Sequence, residues 1–221
     1  MCGRFSLTAD AARLQQEFGL ASAPPELGPR YNIAPAQPVA VVVAREGGRE
    51  LDAFRWGLIP AWAKDAAIGH KMINARGETV AEKPSFKRPL KSQRCLVLAD
   101  GFYEWRKTPG GKTPVYIHLA ERRPFAFAGL WDRWQPPNGE AIYSCTIITT
   151  TPNRLVEAIH NRMPVILTSE AIEVWLDAAQ QAPEALLPLL RPYPAEAMYA
   201  YPVSKLVNAP ANDAPECILP A

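Results

Sequence analysis

The sequence predicts an α+β fold, a single domain in which helices flank a mainly antiparallel, barrel-like β-core. Some eight or nine short apolar runs occur at fairly even spacing, and Gly, Pro or Asn bounds most of them, as is typical of strands in a closed or nearly closed sheet. Helical patterns lie near both ends of the chain. The 23 prolines are spread out, and no linker or repeat divides the sequence, so we predict one domain over residues 1–221.

Composition narrows the class of protein. A chain of 221 residues with 48% hydrophobic and 21% charged residues is typical of a soluble globular protein. No apolar stretch approaches the ~20 residues that span a bilayer, and no apolar signal region begins the chain, so we expect a cytoplasmic protein without a membrane partner. Four cysteines without C-x-x-C spacing argue against a zinc site or a disulfide framework. We predict no cofactor and a monomer.

The first predicted element is a helix. Thr8 can cap its start, Leu14 and Phe18 lie on one face, and Gly19 can end it. Residues 21–30 then contain three prolines and a glycine, which predicts a loop.

The middle of the chain is predicted to form strands. Two pairs of apolar runs flank the turn sequences Gly47-Gly48 and Asp100-Gly101, so we predict two hairpins. The paired runs are 39–44 with 51–57 and 94–99 with 102–105. Further strands are predicted at 114–119, 124–131, 141–150 and 199–203.

Helices return near the C-terminal end. A short helix is predicted over residues 155–160, and residues 165–167 are apolar. Ser169 can cap a second helix whose apolar face contains Ile172, Trp175 and Leu176.

Cys2 is the candidate nucleophile because it follows Met1 directly. Methionine is removed before small residues, and Cys2 would then carry a free amine beside its thiol. The amine titrates near ~7.7–8.0 and the thiol near ~8.5, so both are partly nucleophilic at neutral pH. Such a pair converts an aldehyde first to an imine and then to a thiazolidine ring. From position alone, an ordinary small residue near a chain end remains the alternative.

Three more polar residues lie beside apolar sequence. Asn74 follows an apolar pair and could donate to an oxyanion, or it could be a turn residue. Glu104 lies between Tyr103 and Trp105, where loss of water would raise its pKa, although strand alternation could also turn it towards solvent. His160 ends an apolar helical turn, and catalytic groups often lie at the ends of such elements. It could instead be a structural histidine.

Charge and aromatic residues favour a nucleic-acid partner. Residues 71–107 contain nine basic and four acidic side chains, whereas the whole chain carries a net charge of only +2. A basic face of this kind could meet phosphates, or it could be a solvated surface. Trp62, in a short proline-containing segment, could stack on a base. Arg4, Arg76 and Arg162 each follow a candidate residue by two positions and suit phosphate binding.

Seven short segments together resemble the SRAP family (SOS response-associated peptidase-like proteins), which senses abasic sites in single-stranded DNA. They are residues 1–5 (MCGRF), 31–35 (YNIAP), 56–60 (WGLIP), 74–79 (NARGET), 100–105 (DGFYEW), 160–164 (HNRMP) and 203–208 (VS and VN at its ends). The resemblance spans nearly the whole chain in order. Some relatives have a second aromatic residue after the Trp62 position, where this chain has Ala63, so stacking there is expected to be weaker.

The resemblance implies roles for these residues. Cys2 would attack the ring-opened sugar aldehyde and end in a thiazolidine crosslink, with possible strand cleavage through the imine. Asn74 would hold the sugar or the N-terminus, Glu104 would transfer protons, and His160 would help to open the sugar ring and activate the amine. The implied DNA contacts are Arg4, Pro35, Trp62, Arg76, Trp105, Thr149, Thr150 and Arg162.

Two other functions remain open on the sequence. An N-terminal cysteine also serves amidohydrolases, and a peptidase acting on Met1 could use Asn74 as its oxyanion donor. A DNA-binding module without covalent chemistry would instead bind in a salt-sensitive manner, independently of Cys2.

Overall fold

The computed structural model describes residues 2–22 and 27–221. Over those ranges the strands are β1 (Phe5–Leu7), β2 (Arg30–Ile33), β3 (Pro38–Arg45), β4 (Gly48–Trp56), β5 (Asn74–Arg76), β6 (Arg94–Ala99), β7 (Gly101–Thr108), β8 (Gly111–Leu119), β9 (Phe125–Trp134), β10 (Ile142–Thr150), β11 (Met163–Pro164) and β12 (Met198–Pro202). The helices are α1 (Ala11–Phe18), α2 (Pro84–Ser92), α3 (Arg154–Glu157), α4 (Ser169–Leu176) and α5 (Pro183–Leu186).

Five strands close into a barrel. The neighbours along the larger sheet are β10, β4, β3, β6 and β9, and β9 pairs again with β10 to complete the ring. The pairings are antiparallel except that β10 runs parallel to β4 and to the short strand β5. Closure leaves these five strands without a free edge, and side chains such as Val97 and Phe127 are fully buried. The predicted α+β fold with a mainly antiparallel barrel core is confirmed.

A second sheet packs against the barrel. Its strand order is β12-β8-β7-β1-β2, and its pairings are all antiparallel. Phe5 of β1 places its ring 5.0 Å from that of Trp56 and 5.8 Å from that of Phe127, both barrel residues. The start of the chain is therefore fixed between the two sheets by apolar burial and edge-to-face ring contacts.

The predicted positions of α1 and α4 are confirmed, but the caps of these two helices differ from prediction by one or two residues. Asp10, and not Thr8, caps α1 by accepting a hydrogen bond from the amide of Arg13. Gly19 ends this helix in the left-handed conformation, as predicted. Thr168, and not Ser169, caps α4. In both cases the side chain that precedes the first helical residue supplies the acceptor.

The hairpin predicted at Gly47-Gly48 is confirmed by β3 and β4, but the one at Asp100-Gly101 is wrong. Strands β6 and β7 belong to different sheets, so the chain crosses between sheets at Asp100. The Asp100 carboxylate accepts hydrogen bonds from the Ser6 hydroxyl and from the amide and hydroxyl of Thr8. Asp100 thereby binds β7 to β1 and does not form a two-residue turn.

Other segments differ from prediction. The helix expected over 155–160 is confined to α3, and β1, β2, β5, α2 and α5 were not predicted. The predicted loop over 21–30 includes residues 23–26, which lie outside the described residues. All four cysteines are free and buried, and Cys95 and Cys145 lie in the core, as predicted. Among the described residues, no helix has the length and apolar character needed to cross a bilayer.

Candidate functional site

Cys2 is fully buried and lies a short distance before β1, which begins at Phe5. The Tyr103 amide donates to the Arg4 carbonyl (3.0 Å), which continues the β1–β7 pairing back towards Cys2 and brings it to the Glu104 region of β7. The Cys2 thiol lies 3.8 Å from the Arg4 carbonyl oxygen. Burial raises the pKa of the Cys2 thiol well above its usual range, and the negative charge of Glu104 adds to that increase.

Asn74 holds the backbone of Cys2. It begins β5, which lies beside β10 with Asn74 opposite Ile147. Its side-chain amide Nδ2 donates to the Cys2 carbonyl oxygen at 2.8 Å. The preceding residue, Ile73, accepts a hydrogen bond from the Trp56 indole (2.9 Å), so the buried barrel residue Trp56 fixes the entry to β5.

Glu104 and His160 form the second half of the cluster. Glu104 is only 3% exposed, and burial raises the pKa of its carboxyl group, although the positive charge of protonated His160 acts in the opposite direction. His160 Nδ1 lies 3.8 Å from Glu104 Oε1. The Arg162 amide donates to the same nitrogen (3.1 Å), so the chain after α3 orients the imidazole. A raised carboxyl pKa beside an imidazole suits proton transfer near neutral pH.

Arg4, two residues after Cys2, contacts other protein groups. Its Nη1 donates to Asn32 Oδ1 and to the Val207 carbonyl, both at 2.7 Å. Its guanidinium lies 5.9 Å from the centre of the Trp105 ring, whose indole nitrogen donates to Asn208 Oδ1 (2.7 Å). Arg4 is nearly buried. It joins three parts of the chain that are distant in sequence, at Asn32, Trp105 and Val207.

Arg162 is held by an acidic partner. Its Nη1 and Nη2 contact the two carboxylate oxygens of Glu78 at 2.5 and 2.9 Å, and Nη2 also donates to the Thr149 carbonyl (2.7 Å). The hydrogen bonds from Arg162 lower the pKa of Glu78. Thr150, the next residue of β10, is buried and pairs with Met163.

Trp62, Pro35 and Arg76 lie at the surface. Trp62 is 60% exposed, and Arg76 is exposed at the end of β5. Pro35 is half-buried beside Ala36, which has a φ of +70° and donates its amide to the Trp56 carbonyl (2.8 Å). The loop before Trp62 is fixed by a close approach: a Cβ on Gly57 would lie 2.6 Å from the Gly69 carbonyl oxygen, so only glycine fits.

Comparison with known proteins identifies the family. A family model described as SOS response associated peptidase (SRAP) matches residues 1–210. The chain belongs to the SRAP family. It is 49% identical over 221 residues to the abasic site processing protein YoqW of Bacillus subtilis (strain 168), covering 99% of each chain. It is 38% identical over 263 residues to the abasic site processing protein HMCES of Gallus gallus, covering 100% of this chain and 78% of that protein.

A solved structure shares the whole architecture. The crystal structure of a protein from Bacteroides thetaiotaomicron matches with a TM-score of 0.89 and 31% identity and covers 100% of both chains. A second, from Bordetella bronchiseptica, matches with a TM-score of 0.79 and 28% identity, covering 92% of this chain. The barrel and its covering sheet are therefore shared by these proteins.

The SRAP fold brings the four predicted catalytic residues into one cluster. Asn74 contacts Cys2, His160 faces Glu104, and the Glu104 charge acts on the Cys2 thiol. Of the nine basic residues at 71–107, eight are exposed and Arg94 is buried, where it donates to backbone carbonyls such as that of Trp175. The surface of that segment is basic, as expected.

Two carboxylates that contact the surroundings of predicted site residues were given no role from the sequence. Glu78 lies in the quoted NARGET segment, and only the structure pairs it with Arg162. Asp132 was not singled out, although it is a carboxylate between Trp131 and Trp134 of β9. Asp132 carries the same sequence signal as Glu104, a charged residue among aromatic residues in a strand.

Proposed function

We propose that this protein captures abasic sites in single-stranded DNA by joining the lesion covalently to Cys2. The observation that carries the proposal is the fixed position of the Cys2 backbone by Asn74, with Glu104 and His160 in the same cluster. Relatives at 49% and 38% identity are named abasic site processing proteins, which supports the assignment. The Cys2 nitrogen belongs to the Met1 peptide bond until Met1, which lies outside the described residues, is removed.

The reaction needs no oxidant or cofactor. The Cys2 amine adds to the aldehyde carbon of the ring-opened sugar, and loss of one water gives an imine. The thiol sulfur then bonds to the imine carbon while its proton passes to nitrogen, which closes a five-membered thiazolidine. Because burial raises the pKa of the thiol, the amine is the first nucleophile and the thiol closes the ring.

The neighbouring side chains have defined tasks in this scheme. Asn74 binds the carbonyl of Cys2, which remains after Met1 is removed, and so keeps the nucleophile in place. Glu104 gives a proton to the departing water, which its raised pKa favours, recovers a proton as the neutral imine forms, and relays the thiol proton to nitrogen during ring closure. His160 exchanges protons with the sugar hydroxyls during ring opening. If ring closure is slow, loss of the 3′ phosphate from the imine would cleave the strand.

DNA would cross the exposed basic surface beside this cluster. Arg76 is accessible to a phosphate, and the exposed Trp62, together with Pro35, would stop a duplex on one side of the lesion. Arg162 could exchange Glu78 for a phosphate, since both are bidentate acceptors.

The remaining DNA contacts stay predictions. Thr149 and Thr150 are buried and Trp105 is half-buried, so they would contact DNA only through the small part of their surface that is exposed. Arg4 would act by supporting Trp105 from below.

The test is a crosslinking assay with protein whose intact mass shows that Met1 is absent. An oligonucleotide with one abasic site should give a heat-stable complex with the summed mass less one water. Cys2→Ala should abolish it, whereas Cys217→Ala, which changes another buried cysteine, should not. A wild-type protein that gives no complex, or an undiminished complex from Cys2→Ala, would refute the proposal.

A further inference from the structure

We propose that Asp132 positions Trp62 for its contact with DNA. The Trp62 loop, residues 57–63, would owe its fixed shape to the buried Asp132 carboxylate, so that the indole is rigid before DNA arrives. This inference rests on the proposed function for the role of Trp62, while the contacts that carry it are independent of any DNA.

The indole of Trp62 is exposed, but the backbone on both sides of it is held. The amide of Ala61 donates to Asp132 Oδ2 at 2.9 Å, and the indole nitrogen of Trp134 donates to the Ala63 carbonyl at 2.7 Å. The Ala63 amide also donates to the Pro60 carbonyl (2.8 Å), which closes a tight turn around Trp62. Trp62 is 60% exposed on a backbone that is held on both sides, so its ring is accessible to a partner.

Asp132 has a buried carboxylate whose hydrogen bonds hold this loop. Its side chain is only 4% exposed. While Oδ2 binds Ala61, Oδ1 accepts from Arg88 (2.9 Å), Gln93 (3.3 Å) and the Arg133 amide (2.9 Å). One carboxylate therefore joins the loop to strand β9 and to the end of α2. Hydrogen bonds to a charged acceptor are stronger than those to a neutral one, and a buried carboxylate without them would be costly.

A rigid loop matters for a stacking residue. Ordering a flexible loop on binding opposes association, and fixing it beforehand removes that opposition. A movable Trp62 would also fold aside when a base pair pressed against it. A fixed one excludes the duplex from its side of the lesion and so discriminates between DNA junctions.

The test uses two oligonucleotides with an abasic site in the single strand beside a duplex, the duplex lying 3′ of the lesion in one and 5′ in the other. The ratio of the faster to the slower crosslinking rate of the wild-type protein measures its discrimination between the two junctions, and the same ratio is then taken for each variant. We expect Asp132→Asn, which removes the charge and turns one acceptor into a donor, to lower this ratio about tenfold, equivalent to about 1.4 kcal/mol. Asp65→Asn, which removes an exposed carboxylate just beyond the loop, should leave the ratio unchanged.

A double-mutant comparison separates positioning from a general structural effect. Trp62→Ala should also lower the ratio, and adding Asp132→Asn to it should lower the ratio no further, because Asp132 acts through Trp62. A folded Asp132→Asn protein with the wild-type ratio, or a further fall in the double variant, overturns the inference. A Trp62→Ala variant that retains the ratio overturns it as well.

Two measurements keep the inference testable if Asp132→Asn fails to fold or if no crosslink forms. Ala61→Pro deletes only the donor to Asp132 at a turn position that accepts proline, and it should lower the ratio similarly; an unchanged ratio contradicts the inference. Amide hydrogen exchange at Ala61 and Ala63, measured without DNA, should accelerate in Asp132→Asn. Unchanged exchange overturns the inference even if the protein crosslinks DNA, and faster exchange supports it even if the protein does not.

Discussion

Replacing Glu104 by glutamine should change stability and activity in opposite directions. Glu104 is 3% exposed, and its pKa is raised chiefly by burial, so the folded protein holds this proton more tightly than the unfolded chain does. The free energy of unfolding therefore falls as pH rises from the unfolded pKa of about 4.3 to the folded pKa, and the loss persists above it. Glutamine cannot ionise and escapes that loss.

The size of this pH effect on stability follows from the ionisation of a single carboxyl group. The free energy of unfolding of Glu104→Gln, relative to wild type, should rise with pH by at most about 1.4 kcal/mol per pH unit and become constant above the folded pKa. Crosslinking should fall about a hundredfold or more, because general acid–base catalysis contributes that much. Urea titrations from pH 5 to pH 8 and single-turnover crosslinking give the two quantities.

Glu82→Gln is the matched control, since it makes the same change at an exposed glutamate. Its stability relative to wild type should show no comparable trend over the same pH range. If the free-energy difference between Glu104→Gln and wild type stays flat from pH 5 to pH 8, burial does not govern Glu104 and the reasoning is wrong.

Two further predictions concern the Arg162–Glu78 ion pair and the stability of the fold. Glu78→Gln should release the Arg162 guanidinium from its bidentate partner, strengthen binding to single-stranded DNA and steepen the plot of log affinity against log salt by about 0.7. Gly101→Ala should lower the free energy of unfolding by about 1–3 kcal/mol, measured with urea, because its Cβ would lie 2.1 Å from the Tyr116 ring. Gly110→Ala, with open space around its Cβ, is the control and should cost much less.

The outcomes that contradict these predictions are specific. Weaker DNA binding by Glu78→Gln would mean that Glu78 orients Arg162 for DNA and does not compete with it. An equal loss of stability in Gly101→Ala and Gly110→Ala would mean that the contact with Tyr116 is easily relieved.

Local pattern predicted most of the strands, because alternation and turn residues act over a few neighbours. It failed at Asp100, where the dipeptide Asp-Gly suggested a turn and a carboxylate–hydroxyl contact with Ser6 and Thr8 instead joined two strands. No local rule contains that contact, since its partners lie more than ninety residues away.

The candidate site, like the fold, was only partly predictable from the sequence. The chemistry of Cys2 follows from the sequence, whereas the sequence left Glu104 either desolvated or facing solvent; the structure buries both residues in one cluster. The nearly complete burial of Arg4 was not predictable, because Arg4 reads as a surface cation until Asn32 and Val207 are seen to accept its hydrogen bonds.

The two acceptors of Arg4 also carry a consequence for biosynthesis. They lie 28 and 203 residues further along the chain, and Asn32 itself donates to the carbonyls of Val207, Ala209 and Asn212. A ribosome delivers those carbonyls 175 to 180 residues after Asn32. In a nascent chain Arg4 and Asn32 therefore lack these acceptors until residues 207–212 emerge, long after Cys2 itself has been made.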